Sequence, residues 1–297
     1  MEDSATSHAI TPGDLKAALA GGELSLAYQP KIDLPSGELV GVEALSRWKH
    51  PKYGAVPPVA FIALAESTGL IGALTDWLLP TALSQWRKWH EGGLDINLAV
   101  NVSAKSLEQM DFPDAVHGFC RDHGVPSEYL SIELTESAAQ GVVALMDTLT
   151  RFRIKGMGVS LDDFGIGYSS LSRLQQLPFT EMKIDKSFVM LADRALDCRV
   201  IVRSIVDLAH NLGLEVTAEG VESKDVLTLL VDLGCDTAQG YFIAEPMAGE
   251  ALADWAKAWR AKVKSGEVGL GPNAVARVRT AERLDVVRRQ RGHRARY

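Results

Sequence analysis

The sequence predicts a variant of the (β/α)8 barrel, and three observations predict it. Strand-like and helix-like segments alternate along most of the chain, which calls for a mainly parallel sheet. Eight strand-like segments can be placed, and eight units in about 250 residues favour a closed barrel over an open doubly wound sheet. The first two strands are joined by Pro35-Ser36-Gly37, a hairpin signal, so the opening strand should run antiparallel to the second, which a regular barrel would not do.

The elements follow in order. Residues 1–13 are polar and are expected to form a disordered N-terminus. Alternating apolar runs at 24–34 and 39–48 form the hairpin. Pro57-Pro58 opens a long helical region to about His90, with an interruption expected near Pro80 and a stop at Gly92-Gly93. Strand-like runs then fall at 95–103, 130–135, 157–163, 181–185, 214–219 and 236–240. Helical patterns lie between them at about 113–123, 141–153, 169–177, 197–212 and 223–233, with a last one at 249–262. The expected organisation is therefore a barrel over 14–261 and a basic C-terminal tail over 262–297, with a segment capable of forming a helix.

Composition narrows the class. The chain has 297 residues, 46% apolar and 23% charged, enough to bury a sizeable core. The net charge of −7 is uneven: residues 262–297 hold ten Lys/Arg and three Asp/Glu, which leaves −14 on residues 1–261. That balance gives no reason to expect DNA or RNA as partners, and the tail reads first as a solvated segment. Three widely spaced cysteines (Cys120, Cys198, Cys235) without a C-x-x-C fit reduced thiols in a cytoplasmic protein. The sequence shows neither a signal-peptide pattern at Met1 nor an apolar run long enough for a membrane span.

Strand phase carries the functional signal. In a barrel strand, alternate side chains face the lumen and the surrounding helices. Glu43, Asn101, Glu133, Asp162, Lys183, Glu219 and Gln239 each stand near the C-terminal end of a strand, in the phase opposite its apolar face. That rim is where barrel enzymes keep their chemistry. Any one of these residues alone reads as a structural ion-pair member, but a barrel mouth has no structural need for a cluster of acids. With Asp163, five carboxylates face one Lys183. At an effective dielectric of about 20 and spacings of about 5 Å, each like-charge pair costs roughly 3 kcal/mol. Either several acids are protonated or metal ions sit among them. All-oxygen ligation suits Mg²⁺ or Mn²⁺, and a pair of such ions serves phosphodiester hydrolysis. The seven histidines are scattered and show no zinc-type spacing.

These residues sit in a larger set of motifs. Tyr28-Gln29-Pro30 and Glu43-Ala44-Leu45 are followed by N-V-S at 101–103, E-L-T-E-S at 133–137 and D-D-F-G-I-G-Y-S-S-L at 162–171. K-I-D at 183–185, A-E-G-V-E at 218–222 and Q-G-Y at 239–241 complete the series. Over about residues 22–248 the order and spacing resemble those of the EAL-domain cyclic di-GMP phosphodiesterases. The resemblance implies a barrel with an antiparallel first strand and Mg²⁺- or Mn²⁺-dependent hydrolysis of cyclic di-GMP to linear pGpG. It implies that Glu43, Asn101, Glu133, Asp162, Asp163 and Glu219 ligate two ions, directly or through water. Lys183 would position the attacking water and offset developing charge, with Gln239 holding the water network. Gln29, Leu45 and Arg47 would contact substrate. Glu136 would steady the loop from Phe164 to Ser170, which in the family links metal binding to dimerisation, so a homodimer is expected. Two positions depart from the family pattern: Ile166, where threonine or alanine is usual, and Glu245, where a basic residue is common.

Two other functions compete. One is an EAL-type receptor that binds cyclic di-GMP without turnover, yet no proposed ligand is missing. The other is an aldolase-type lyase with Lys183 as a Schiff-base amine, which the surrounding carboxylates oppose by stabilising the ammonium.

Overall fold

A computed structural model of the chain describes residues 10–136, 142–166 and 171–271. It opens on a helix absent from the sequence reading, α1 (Pro12–Gly21). Thr11 caps it reciprocally with Asp14, and Pro12 supplies a first residue already set to the helical φ. The hairpin follows as β1 (Leu24–Asp33) and β2 (Leu39–His50), antiparallel with Leu24 opposite Trp48 and Ile32 opposite Leu39. A three-residue β3 (Gly54–Val56), too short to leave a periodic signal, extends the free end of β2.

The long helical region breaks at Gly69, not at Pro80. Gly69 closes α2 (Pro58–Thr68) in a left-handed conformation, φ 74°, and donates to Ala65 O. Pro80 lies inside α3 (Ile71–Glu91). Proline removes one hydrogen bond from that helix, but Leu78, Leu79, Ala82 and Leu83 around it are buried, and their packing holds the helix continuous.

The remaining units are regular. Strand β4 (Asn97–Asn101) is followed by α4 (Ala104–Leu107) and α5 (Phe112–Asp122), and β5 (Leu130–Thr135) by α6 (Val142–Ile154). Next come β6 (Gly158–Phe164) with α7 (Leu171–Gln176), and β7 (Glu181–Ile184) with α8 (Lys186–Val189) and α9 (Leu196–Asn211). The last units are β8 (Glu215–Ala218) with α10 (Lys224–Asp232) and β9 (Thr237–Ala238) with α11 (Leu252–Ser265).

From β2 through β4 to β9 the barrel strands pair in parallel. Strand β1 closes the ring by pairing antiparallel with both β2 and β9. The fold is an eight-strand mixed barrel ringed by helices, with β3 appended.

Helix α11 continues to Ser265, where Gly266 caps it, and Val268 and Leu270 beyond it are buried. The boundary expected at residue 262 therefore falls inside a helix. Trp259 Nε1 donates to Gly37 O at 2.9 Å and ties that helix to the β1–β2 hairpin. The rest of the basic tail, 272–297, lies outside the described residues, as do residues 1–9.

Apolar faces pack in two places. The main core lies between the strands and the helix ring, and includes Leu98, Val100, Ile132, Val159, Leu161, Met182 and Val216. A second cluster joins α1, α2 and the start of α3 to Trp48 near the end of β2 and Val56 opposite it on β3. The alternate residues of the same strands turn inward, so the lumen is polar. Near the N-terminal ends of the parallel strands it holds Lys31, Ser160, Glu181, Thr217 and Thr237. Near their C-terminal ends it holds Gln29, Glu43, Glu133, Asp162, Lys183 and Gln239.

Candidate active site

At the C-terminal rim the polar residues converge on Lys183. Its ammonium lies 2.6 Å from Glu219 Oε1, 2.9 Å from Glu133 Oε2, 3.3 Å from Asp162 Oδ1 and 3.4 Å from Glu43 Oε2. An ammonium has three N–H donors, so it cannot satisfy four carboxylates at once. Glu43 is held from two further sides: Asn101 Nδ2 donates to Oε1 and Gln239 Nε2 to Oε2, each at 2.6 Å. Gln239 also reaches Gln29 Oε1 at 3.4 Å, while Gln29 Nε2 donates to Ala244 O at 3.2 Å. The exposed Glu245 follows directly on that rim.

Strand phase alone does not explain Asp163. Next to Asp162 on a regular strand, it would point out toward the helices. The structure resolves this with a register shift in the β6–β7 pairing between Leu161 and Phe164, and with a positive φ of 57° at Asp163. Among the described residues Asp163 is the one non-glycine with positive φ. Such a conformation costs on the order of 1–3 kcal/mol and persists where the surroundings impose it. A bulge re-aims a side chain, and here carboxylate oxygens of Asp162, Asp163 and Glu219 come within 4.8 Å of one another.

The start of the following loop is tied back to β5. Glu136 is buried; its backbone N–H donates to Asp162 O at 3.0 Å and its Oε2 accepts from Gly165 N–H at 3.2 Å. Ile166 is 61% exposed. Residues 167–170, the rest of the Phe164–Ser170 loop, lie outside the described residues.

Two clefts flank the acids. One, of about 590 Å³, is lined by Leu45, Arg47, Asn101 and Glu133, with an apolar wall of Ile62, Ile71, Leu74 and Leu78. Arg47 is half-buried there and donates to Ser46 O at 3.0 Å. The other, of about 480 Å³, is lined by Gln29, Glu43, Asp162, Glu219 and Gln239, together with Lys186, Glu222 and Tyr241. Strand phase missed the apolar wall, which helices contribute. It also missed Lys186 and Tyr241, which stand just past their strands where alternation no longer applies.

Burial and mutual repulsion leave the acids divided. Burial, with the charges of Glu43 and Asp162, pushes Glu133 well above the usual carboxylate range against the pull of Lys183. Burial pushes Glu219 up to about 8, again against Lys183. Burial and the neighbouring Asp162 raise Asp163. Glu43 goes the other way: burial would raise it, but Lys183 and the bonds from Gln239 and Asn101 hold it below its ordinary value. Lys183 is buried, yet Glu133, Glu219, Glu43 and Asp162 raise its pKa well above the ordinary value, so it stays an ammonium.

A site of this kind lacks positive charge. Five carboxylates and one amide, all oxygen donors, fit a hard divalent cation, and Asp162, Asp163 and Glu219 already lie close enough to share one.

The EAL domain model matches residues 13–246. The chain belongs to the EAL domain family. Relatives include a cyclic di-GMP phosphodiesterase, PA2567, of Pseudomonas aeruginosa, 41% identical over 231 residues. That alignment covers 77% of this chain and 39% of the relative. MucR of the same organism, a bifunctional diguanylate cyclase/cyclic di-GMP phosphodiesterase, is 42% identical over 241 residues, covering 80% and 35%. The chain thus spans well under half the length of these curated relatives. Among solved structures, the PaMucR phosphodiesterase in complex with c-di-GMP superposes with a TM-score of 0.77 at 41% identity. It covers 81% of this chain and 98% of that one.

Proposed function

We propose that this EAL domain hydrolyses cyclic di-GMP to linear pGpG, using Mg²⁺ or Mn²⁺ ions held by Glu43, Asn101, Glu133, Asp162, Asp163 and Glu219. The observation that carries the reading is the convergence of five carboxylates on one over-subscribed ammonium, between two clefts that could each take one half of a dinucleotide. The relatives' names supply the substrate.

Bound divalent ions would lower the pKa of a water and neutralise charge on the phosphoryl oxygens. The chain's own residues do the rest. Hydrolysis puts a water oxygen on phosphorus and breaks one P–O3′ bond, leaving a 5′-phosphate and a 3′-hydroxyl. Lys183 stays charged, so it donates to the attacking oxygen and offsets the growing negative charge; it is not the base. Of the carboxylates packed around it, Glu43, held below its ordinary pKa, is the proton acceptor within reach, and Glu219, raised to about 8, would join it once bound cations lowered that value. Gln239 and Asn101 fix the Glu43 carboxylate from both sides. Gln29, Leu45 and Arg47 contact the substrate, with the Arg47 guanidinium suited to a phosphate.

A cytoplasmic setting is part of the same proposal, supported by three unpaired cysteines; no helix among the described residues is long and apolar enough to cross a membrane. A homodimer that buries the exposed Ile166 belongs to the same proposal. Sedimentation across a dilution series tests it: Ile166→Asp should weaken association, and unchanged association would remove Ile166 from the interface.

The alternative, a receptor without turnover, predicts binding of cyclic di-GMP and no pGpG. Chromatography of the products formed with Mg²⁺ or Mn²⁺ decides between the two.

A further inference from the structure

The smaller cleft contains a cation that the reaction as described leaves idle. Carboxyl groups of Glu43, Asp162, Glu219 and Glu222 line it, and Lys186 is the one cation among its lining residues. Lys183 lies deeper, surrounded by its four carboxylates. Lys186 is exposed and forms no ion pair among the described residues, although acids line the same space.

The backbone fixes the base of this side chain. Asp185 caps the turn out of β7 by accepting from Ser187 N–H at 2.8 Å, which sets Lys186 at the start of α8. The chain just after Glu219 then presses on the lysine stem. Gly220 has φ 68°, and a Cβ there would stand 2.4 Å from Lys186 Cβ. The stem is thus packed against the backbone that carries a proposed metal ligand, while the ammonium, whose charge reaches Asp163, forms no ion pair among the described residues. Tyr241, 63% exposed, lines the same cleft. An aromatic face beside an unpaired cation provides what a nucleotide offers to bind, a base and a phosphate.

A cyclic dinucleotide carries two phosphodiesters, and only one can lie at the acid cluster. The other must sit close to an acid-lined wall that repels it unless a cation is present. We propose that Lys186 binds the phosphate that is not being cleaved and so holds the second half of the substrate in the smaller cleft. This rests on the phosphodiesterase reading above.

Lys186→Met keeps the stem that packs on Gly220 and removes the charge. A contact to the uncleaved phosphate acts alike in ground state and transition state, so its loss belongs in KM. Lys186→Met should raise KM for cyclic di-GMP about ten-fold and leave kcat within about two-fold. The KM of the variant should also climb less steeply with ionic strength than that of the wild type, a change that a purely structural role would not produce. Lys186→Arg should recover most of the loss. An unchanged KM, or a kcat lowered more than about ten-fold at constant KM, would overturn the assignment. If the wild type forms no pGpG, the phosphodiesterase reading fails first. Calorimetric titration of both proteins with cyclic di-GMP then still decides: equal Kd values reject Lys186, and a Kd weakened about five-fold or more in Lys186→Met supports it.

Discussion

Two lysines point into the barrel, one toward each end, and their surroundings differ in kind. At the N-terminal end of the parallel strands Lys31 meets Glu181 at 2.6 Å, and the Thr217 hydroxyl donates to the same carboxylate. Thr217 and Thr237 share a further hydrogen bond of 2.5 Å. Lys31 has the Glu181 carboxylate as its one ion-pair partner among the described residues. At the C-terminal end Lys183 faces four carboxylates, with Asp163 turned in beside them. The same fold, with the same alternation, builds a balanced pair and a site left several charges short. An ion pair that only has to be buried closes on itself, as Lys31 and Glu181 do. A cluster of carboxylates that outnumbers its cation suits the binding of further positive charge.

The largest effect should come from the acids. Asp162→Asn or Glu43→Ala should lower pGpG formation by roughly 10³-fold or more, because each removes a proposed metal ligand. The fold should persist, since the apolar faces of the strands are untouched. If either variant retains activity within ten-fold, the rim is not the reactive centre.

At the opposite end, Lys31→Met should leave the proposed chemistry intact and damage the fold instead. It strands Glu181 without its cation, and breaking a buried pair costs on the order of 3–5 kcal/mol. Denaturant unfolding would read that loss. Replacing both partners by apolar residues should recover most of it, and failure to recover would mean that the balanced pair does more than fill space.

Lys183→Ala should cut kcat by about 10²-fold or more while substrate binding persists. Steady-state kinetics beside calorimetry separate the two; normal turnover would show that the lysine among four acids is only structural.

Acidity separates the two ends further. Burial would raise Glu181, but Lys31 and the Thr217 bond outweigh it and bring it down to about 2. A group depressed in the folded state stabilises above its unfolded pKa, near 4.5, and loses that contribution as pH falls toward 2. The amount is on the order of 3 kcal/mol. The stability difference between wild type and Glu181→Gln should therefore shrink steadily between those pH values. A difference that stays constant with pH would remove the proposed linkage.

Smallest, and opposite in sign, is the effect of relieving the rim. Without divalent cations, Glu133→Gln should melt at a temperature equal to or a few degrees above the wild type, because one buried, repelled carboxylate is gone. Added Mg²⁺ should stabilise the wild type more than the variant.

How much of this was legible from sequence depended on periodicity. Glu43, Asn101, Glu133, Asp162, Lys183 and Glu219 were legible because a strand has period two and an inward polar residue breaks an apolar pattern. The antiparallel β1 was legible because Pro35-Ser36-Gly37 is a turn signal. Asp163 was not legible by phase, since a bulge reverses its direction; its adjacency to Asp162 and the motif resemblance pointed to it. Helix α1 was missed: its first two residues, Pro12 and Gly13, fall in the segment read as disordered and the rest was assigned no element, because a local capping pair outweighs a weak apolar pattern. The break at Gly69 was misplaced at Pro80 because burial overrode the local cost of proline. The apolar cleft wall and Lys186 depend on where helices and turns dock, which no strand pattern reports.

The central claim is that the carboxylates around Lys183 hold metal for phosphodiester hydrolysis. Its most direct test is to strip the purified protein exhaustively with EDTA, add cyclic di-GMP, and then titrate in Mg²⁺ or Mn²⁺ while following the nucleotides by chromatography. No conversion is expected before metal and stoichiometric pGpG after it, with Asp162→Asn silent throughout. Full conversion by the chelated protein, or none by the metal-loaded wild type, would contradict the claim.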